Sequence, residues 1–192
     1  MGLRDALFGR SKLKDPASDD RLFAMSTARI TLQSDLDLKP AGAAGVCFRA
    51  LSAESFIRAE NDLQELLDAV AKESGSQVER KTDDLGYEWL VVRDQDFEDL
   101  VTTVHVVASE LEARGFGPQL LAAVFPFDGN FKEKRVYWIY GFKPGAFWPF
   151  VPTGEGQERD NAEELELKAK MEKELPVEQD LTRWFGLFNA PL

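Results

Sequence analysis

Residues 77–92 read Gln-Val-Glu-Arg-Lys-Thr-Asp-Asp-Leu-Gly-Tyr-Glu-Trp-Leu-Val-Val, and the reading of this stretch decides the fold. Thr-Asp-Asp-Leu-Gly (82–86) is turn chemistry, because Asp bonds to its own backbone and Gly reaches positive φ without a steric penalty. The arms on either side, Gln77 to Lys81 and Tyr87 to Val92, carry the Val, Tyr and Trp content of strands. A hairpin is therefore predicted here. A helix follows from about Asp96, with Phe97, Leu100, Val101, Val104, Val107 and Leu111 on one stripe and a stop at Gly115. A short apolar run from Gly45 to Leu51 precedes the hairpin and predicts a strand. From Ser52, an N-cap hydroxyl, Phe56, Leu63, Leu66, Leu67 and Val70 then mark a helix ending at Gly75.

Beyond the second helix, Leu120 to Phe127 and Lys134 to Phe142 predict another hairpin around Asp128-Gly129-Asn130. Pro126 calls for an edge strand or a bulge, since it has no N–H for a ladder. Asp160 with Glu163 has capping-box spacing and opens a charged helix that must stop before Pro176. Leu181, Trp184, Phe185 and Phe188, at i, i+3, i+4 and i+7, predict a last short helix. Residues 21–38 show no sustained period and stay undecided between helix and strand. The expectation is an α+β domain: a mostly antiparallel sheet of about five strands with helices on one face, plus two C-terminal helices within 160–188. The central β-α-β-β-α-β order fits a ferredoxin-like or a secretion-chaperone-like arrangement. Residues 1–20 are expected to be a flexible basic segment and linker, and 21–192 a single domain.

Charge and composition narrow the function classes. The 192 residues carry a net charge of −11, which disfavours nucleic acid as a partner. One cysteine cannot form an internal disulfide, so a cytoplasmic protein is the expectation. No apolar run approaches the roughly 20 residues that span a bilayer, and the start of the chain lacks the apolar centre of a secretory signal.

Catalytic signals are thin. His105 lies beside the apolar stripe of the second helix and reads as a packed structural histidine, since a general base needs an orienting partner and a cleft. Cys47 follows Val46 in a strand and reads as a buried small hydrophobe. A hydrolase using Cys47 and His105 is a remote alternative that requires the two within hydrogen-bond reach. Asp83 and Asp84 read as turn residues, not as metal ligands. Gly115-Phe-Gly-Pro follows a helix and so forms a cap, not a phosphate cradle. No catalytic residue, cofactor or metal is expected.

Aromatic residues crowd the stretch from Phe125 to Phe150. Ala146 to Pro152 has few means of hiding every ring, which makes Phe147, Trp148 and Phe150, with Trp184 and Phe188, a candidate partner-binding patch. The flanking Glu163, Glu164, Glu166 and Glu172 would favour a partner with Lys or Arg around an apolar centre. Near the start of the chain Leu3, Leu7 and Phe8, with nearby basic residues, are candidates for weak peripheral membrane contact. A homodimer is expected, two-fold pairs being the commonest oligomers.

Several strings carry a resemblance when taken together: Ala-Gly-Val-Cys-Phe (44–48), Thr-Asp-Asp-Leu-Gly-Tyr-Glu-Trp (82–89), Asp-Phe-Glu-Asp-Leu-Val-Thr (96–102), Gly-Phe-Gly-Pro-Gln-Leu-Leu (115–121), Arg-Asp-Asn-Ala-Glu-Glu-Leu (159–165) and Glu-Leu-Pro-Val-Glu (174–178). From about residue 20 onward the chain resembles the PspAB family, the B-type proteins associated with phage-shock protein A. The resemblance implies an envelope-stress setting in which a phage-shock-protein-A-like protein coats the inner face of a damaged membrane, or one with an HtpX-type membrane protease. It transfers no catalytic or ligand residue. It implies a non-enzymatic adaptor or regulator that binds a protein partner in the cytoplasm, peripheral to the inner face of the membrane. The alternative is a secretion-chaperone-like module that binds an extended client segment.

Overall fold

The computed structural model describes residues 21–49, 75–129, 135–154 and 156–192, together with Glu65, Asp68, Ala69 and Lys72. Seven strands form one antiparallel sheet: β1 (Leu38–Pro40), β2 (Ala43–Arg49), β3 (Gln77–Thr82), β4 (Tyr87–Arg93), β5 (Leu120–Gly129), β6 (Arg135–Gly141) and β7 (Ala146–Phe150). Among the described residues the continuous α-helices are α1 (Ala24–Ser34), α2 (Phe97–Leu111) and α3 (Asn161–Met171). Strand order is β3-β4-β2-β5-β6-β7, with β1 pairing β5 beyond the end of β2. Within it β5-β2-β4-β3 is the split βαβ order, so the ferredoxin-like reading describes the strands from β5 out to the β3 edge.

The deciding hairpin forms as its turn residues require. Gly86 sits at φ 80° after the turn, a conformation that costs glycine little. Asp83 does more than turn the chain. One of its carboxylate oxygens accepts from the N–H groups of Leu85 and Tyr87, each at 2.9 Å, and the other from Trp89 Nε1, also at 2.9 Å. Trp89 is fully buried, so that carboxylate satisfies an indole N–H that has left water.

Within residues 21–38, Ala24–Ser34 form helix α1 and Leu38 opens β1. Leu22, Met25, Ala28 and Leu32 are buried, and Ile30 faces out at 61% exposure. Ile30-Thr31-Leu32 had suggested a strand only because β-branched residues favour one. α2 is capped by Asp96, whose carboxylate accepts from the N–H groups of Glu98 and Asp99. It packs through Phe97 against the rings of Phe125 and Phe127, on the face of the sheet that also carries Val46, Leu90 and Ala123. Of the helix expected over 52–74, Glu65, Asp68, Ala69 and Lys72 are helical and exposed. Its apolar stripe lies outside the described residues, as do residues 1–20.

Three expectations need correction. The sheet has seven strands where about five were expected, because β1 is short and β7 is buried on both faces and so lacks alternation. Pro126 lies on central β5, not at an edge. Its carbonyl accepts from the Ala41 N–H at 3.0 Å, where the neighbouring strand changes from β2 to β1. The N–H it lacks is therefore missing at that break and not from the ladder with β6. Residues 181–188 hold a single 3₁₀ turn, Leu181–Arg183, and then run irregularly.

Removing the Asp83 carboxylate strands the Trp89 indole N–H and two turn amides. Asp83→Ala should lower stability by about 2–3 kcal/mol, the cost of buried donors left unpaired. Asp83→Asn, which keeps one acceptor, should lose less. Urea midpoints of the two variants against the unchanged protein check the order.

Candidate functional site

β7 is the last strand of the sheet, and its outer edge is closed. The Phe147 N–H donates to Pro176 O at 2.8 Å, and Phe147 O accepts from the Glu178 N–H at 2.9 Å. Pro149, two residues on, has no N–H to satisfy, the usual place for proline in a sheet. The Val151 N–H donates to Glu164 Oε1 at 2.9 Å, and Val151 O accepts from the Asp160 N–H at 2.8 Å. The Asp160–Glu163 pair is thus half a capping box. Asp160 Oδ1 accepts from the Glu163 N–H at 3.1 Å, while the Asp160 N–H serves the strand instead.

Glu164 is 2% exposed and points inward from α3. Besides the Val151 amide it accepts from Arg159 Nε at 2.9 and 3.0 Å, and Arg159 Nη2 lies 2.8 Å from Oε2. The guanidinium stacks 5.2 Å over the Phe150 ring and donates through Nη1 to Trp184 O at 2.8 Å. One carboxylate therefore joins α3, β7 and the start of the last nine residues.

Those residues, 184–192, cross the sheet face opposite α2, where Gly45, Trp89, Ile139 and Trp148 lie. The Phe185 ring stands 4.7 Å from Trp148 and the Phe188 ring 4.9 Å from Phe150. Leu192 lies over Gly45, where an added Cβ would come within 2.8 Å of Leu192 Cδ2. Trp148 Nε1 donates to Phe185 O at 3.0 Å, Lys81 Nζ to Pro191 O at 3.4 Å and Arg135 Nη1 to Leu192 O at 3.3 Å. With Arg159 on Trp184 O, four side-chain donors from the body of the domain hold main-chain carbonyls of this strap.

The structure puts Trp148 and Phe150 on the strap side of the sheet, Phe147 on the opposite side, and none of the five predicted aromatics on an exposed surface. Phe147, Trp148 and Phe150 are fully buried, Trp184 is 8% exposed and Phe188 is half-buried. Residues 176–178 close the edge of β7 at Phe147, and the strap covers Trp148 and Phe150 on one face. The aromatic patch is thus corrected to an internal joint. Glu164 likewise leaves the acidic surface assigned to it. Leu3, Leu7 and Phe8 lie outside the described residues. Cys47 belongs to the strap-side face of the sheet, and His105 packs against Phe23 on the helix side, ring centroids 4.7 Å apart. The sheet separates them, so the Cys47–His105 dyad does not form. Burial, and secondarily the Asp83 carboxylate, push the Cys47 thiol up to about 12.

Arg159, Lys81 and Arg135 were not singled out from sequence, and Glu164 was named there only as part of an acidic surface. Glu164 had one legible signal: it falls three residues before Leu167 and seven before Met171, on the buried stripe of α3. Lys81 and Arg135 had none, since their acceptors are 110 and 57 residues away along the chain.

The strings that carry the resemblance occupy structural positions throughout this fold: Gly45 under Leu192, Asp83 under Trp89, Arg159 and Glu164 at the joint. The family described as PspA associated protein B (PspAB) matches residues 1–192. The chain belongs to the PspAB family. The match takes in residues 1–20, which the resemblance had left aside. No curated protein and no solved structure matches the chain. Association with PspA thus stands in the description of this PspAB chain's own family, and among the described residues no helix is long and apolar enough to cross a membrane.

Glu164→Ala should destabilise this PspAB protein by about 3–5 kcal/mol, because it leaves a buried guanidinium and the Val151 amide unpaired. Adding Arg159→Met should recover part of that loss, since it removes the orphaned charge. A double-mutant cycle by urea denaturation reads the coupling. A second expectation concerns Cys47. With its thiol pushed up to about 12, the thiolate is about one part in ten thousand at pH 8. Labelling by Ellman's reagent should therefore follow the unfolding rate, and fast labelling of the native protein would contradict the burial.

Proposed function

We propose that this protein is a non-enzymatic adaptor that binds a phage-shock-protein-A-like coat protein at the inner face of the cell membrane. The observation that carries the reading is the match of the PspA associated protein B family to the whole chain. The net charge of −11 favours a partner that presents Lys or Arg. In this reading the protein is cytoplasmic, reaches the membrane through its partner and forms a homodimer. An HtpX-type protease is the second candidate partner.

Co-purification from cells that carry the natural partner set tests it. Tagged protein, crosslinked before lysis and during envelope stress, should return the PspA-type coat protein. Light scattering on the eluted complex reads the stoichiometry. An eluate with neither the coat protein nor the protease would overturn the proposal.

A further inference from the structure

The two edges of the sheet differ. The β7 edge is closed by main chain from residues 160 and 176–178 and by the Glu164 carboxylate. At the other edge, among the described residues, β3 pairs with β4 alone. β3 has no proline or glycine, and its register with β4 runs unbroken from Gln77 to Thr82. A straight, uncovered edge strand is a template for a further strand, and sheets that avoid this bulge the edge, shorten it or cover it. The ladder sets which groups the edge presents. The Asp83 N–H donates to Tyr87 O at 3.0 Å, so Lys81 and Glu79, at two-residue steps from that pair, direct their main-chain groups to β4. Val78 and Thr82 therefore direct their N–H and C=O groups outward.

The side chains select the occupant. Gln-Val-Glu-Arg-Lys-Thr carries one acid and two bases, in a chain whose net charge is −11. Two copies of so acidic a protein repel over most of their surface, and least where the local charge is positive. A two-fold axis that continues the sheet sets residues of the same face opposite each other in antiparallel order. With the axis at Arg80, Val78 meets the partner's Thr82, and Glu79 meets the partner's Lys81 on the strap-side face, twice by symmetry. Glu79 and Lys81 already lie 3.0 Å apart within one chain, so the two pairs close a ring of alternating charge. Moving the axis to Glu79 or to Lys81 sets like charges directly opposite, which is destabilising. An axis at Val78 or Thr82 leaves most of the strand without a partner. Arg80 faces its own copy on the α2 side, where its guanidinium is already bonded to the buried Glu88 carboxylate at 2.7 Å. β3 is thus self-complementary in one register.

We infer that β3 pairs antiparallel with β3 of a second copy of this chain, around a two-fold axis at Arg80, so that one sheet runs through the dimer. The inference rests on the homodimer of the adaptor reading and supplies its interface. It does not depend on which protein the adaptor binds.

The test is sedimentation velocity and light scattering on the full chain over a range of concentrations. The unchanged protein should be a dimer that dissociates more readily as salt is raised, since charge pairs at a surface are screened. Glu79→Lys and Lys81→Glu each set like charges across the axis and should weaken the dimer about ten-fold or more. An equimolar mixture of the two variants should then form a heterodimer, because every lysine in it meets a carboxylate across the axis. A contact within one chain would not produce that recovery. Val78→Pro deletes one outward N–H and no bond to β4, the position at which an edge strand tolerates proline, and should give a folded monomer. If that variant fails to fold, the mixture still decides. A dimer untouched by both charge variants, or variants that weaken it without recovery on mixing, would overturn the β3 interface and leave the homodimer to another face. A monomer at every concentration would overturn the interface and the homodimer together, while co-purification of the coat protein would keep the adaptor role standing.

Discussion

The Glu164 carboxylate is the point on which the outer third of the structure depends. A carboxylate this buried is tolerable only when its charge is paired and its lone pairs are filled. Arg159 supplies the charge, and the Val151 amide fills a further site. Each partner then fixes something else. Val151 holds the end of β7 to α3, and Arg159 reaches the Trp184 carbonyl while it covers the Phe150 ring. A hydrophobic residue in place of Glu164 could fill the space, but it could not place a guanidinium at the start of the strap. The ion pair therefore specifies geometry as well as contributing to stability.

The two faces of the sheet are covered by different physics. On one, α2 contributes a stripe from Phe97 to Leu111 whose positions come from a single helix of 15 residues, so its burial is cooperative with a regular backbone. On the other, residues 184–192 cross without repeating structure, and each contact is made one side chain at a time. Loss of one helix contact leaves the helix in place. Loss of one strap contact leaves a short irregular chain whose backbone entropy is recovered at roughly 1–2 kcal/mol per freed residue. The strap-side face carries Trp89 and Trp148, two of the three fully buried tryptophans, and the third, Trp138, lies on the α2 side with Phe125.

How much of this was legible in the sequence follows from the range of each interaction. The Asp83 turn, the Asp96 cap and the α2 stripe are settled within a few residues, and each appears where local chemistry puts it. β7 was hidden because Phe147, Trp148 and Phe150 are buried on both sides, which erases the alternation that marks a strand. The Leu181–Phe188 spacing has a helical period, yet Gly186 and Pro191 favour a bent chain, and the seats on Trp148 and Phe150 override the period. Phe147, Trp148, Phe150 and Trp184 are buried where an outward patch was expected. Composition says that rings must be covered; it does not say that a distant piece of the same chain covers them.

The cations along the strap explain how an acidic protein can hold a chain by its carbonyls. Lys81, Arg135 and Arg159 each touch a carboxylate on one side and a strap carbonyl on the other. The Lys81 hydrogen bond holds the Glu79 carboxyl below its ordinary value, and Asp128 raises Arg135 above its own. The first shift has a definite sign. A depressed carboxyl contributes stability that is complete above its unfolded pKa and lost as pH falls through the folded one. The pairing that orients Lys81 is therefore intact at neutral pH and weakens only in acid. A free lysine or arginine would lose side-chain entropy when it captured a carbonyl, which offsets much of a hydrogen bond worth about 1–3 kcal/mol. Held by buried Glu164, Arg159 loses little more, whereas Lys81 and Arg135 sit in pairs that are partly exposed and hold them less firmly. The domain body thus holds the strap by three paired cations and the indole of Trp148.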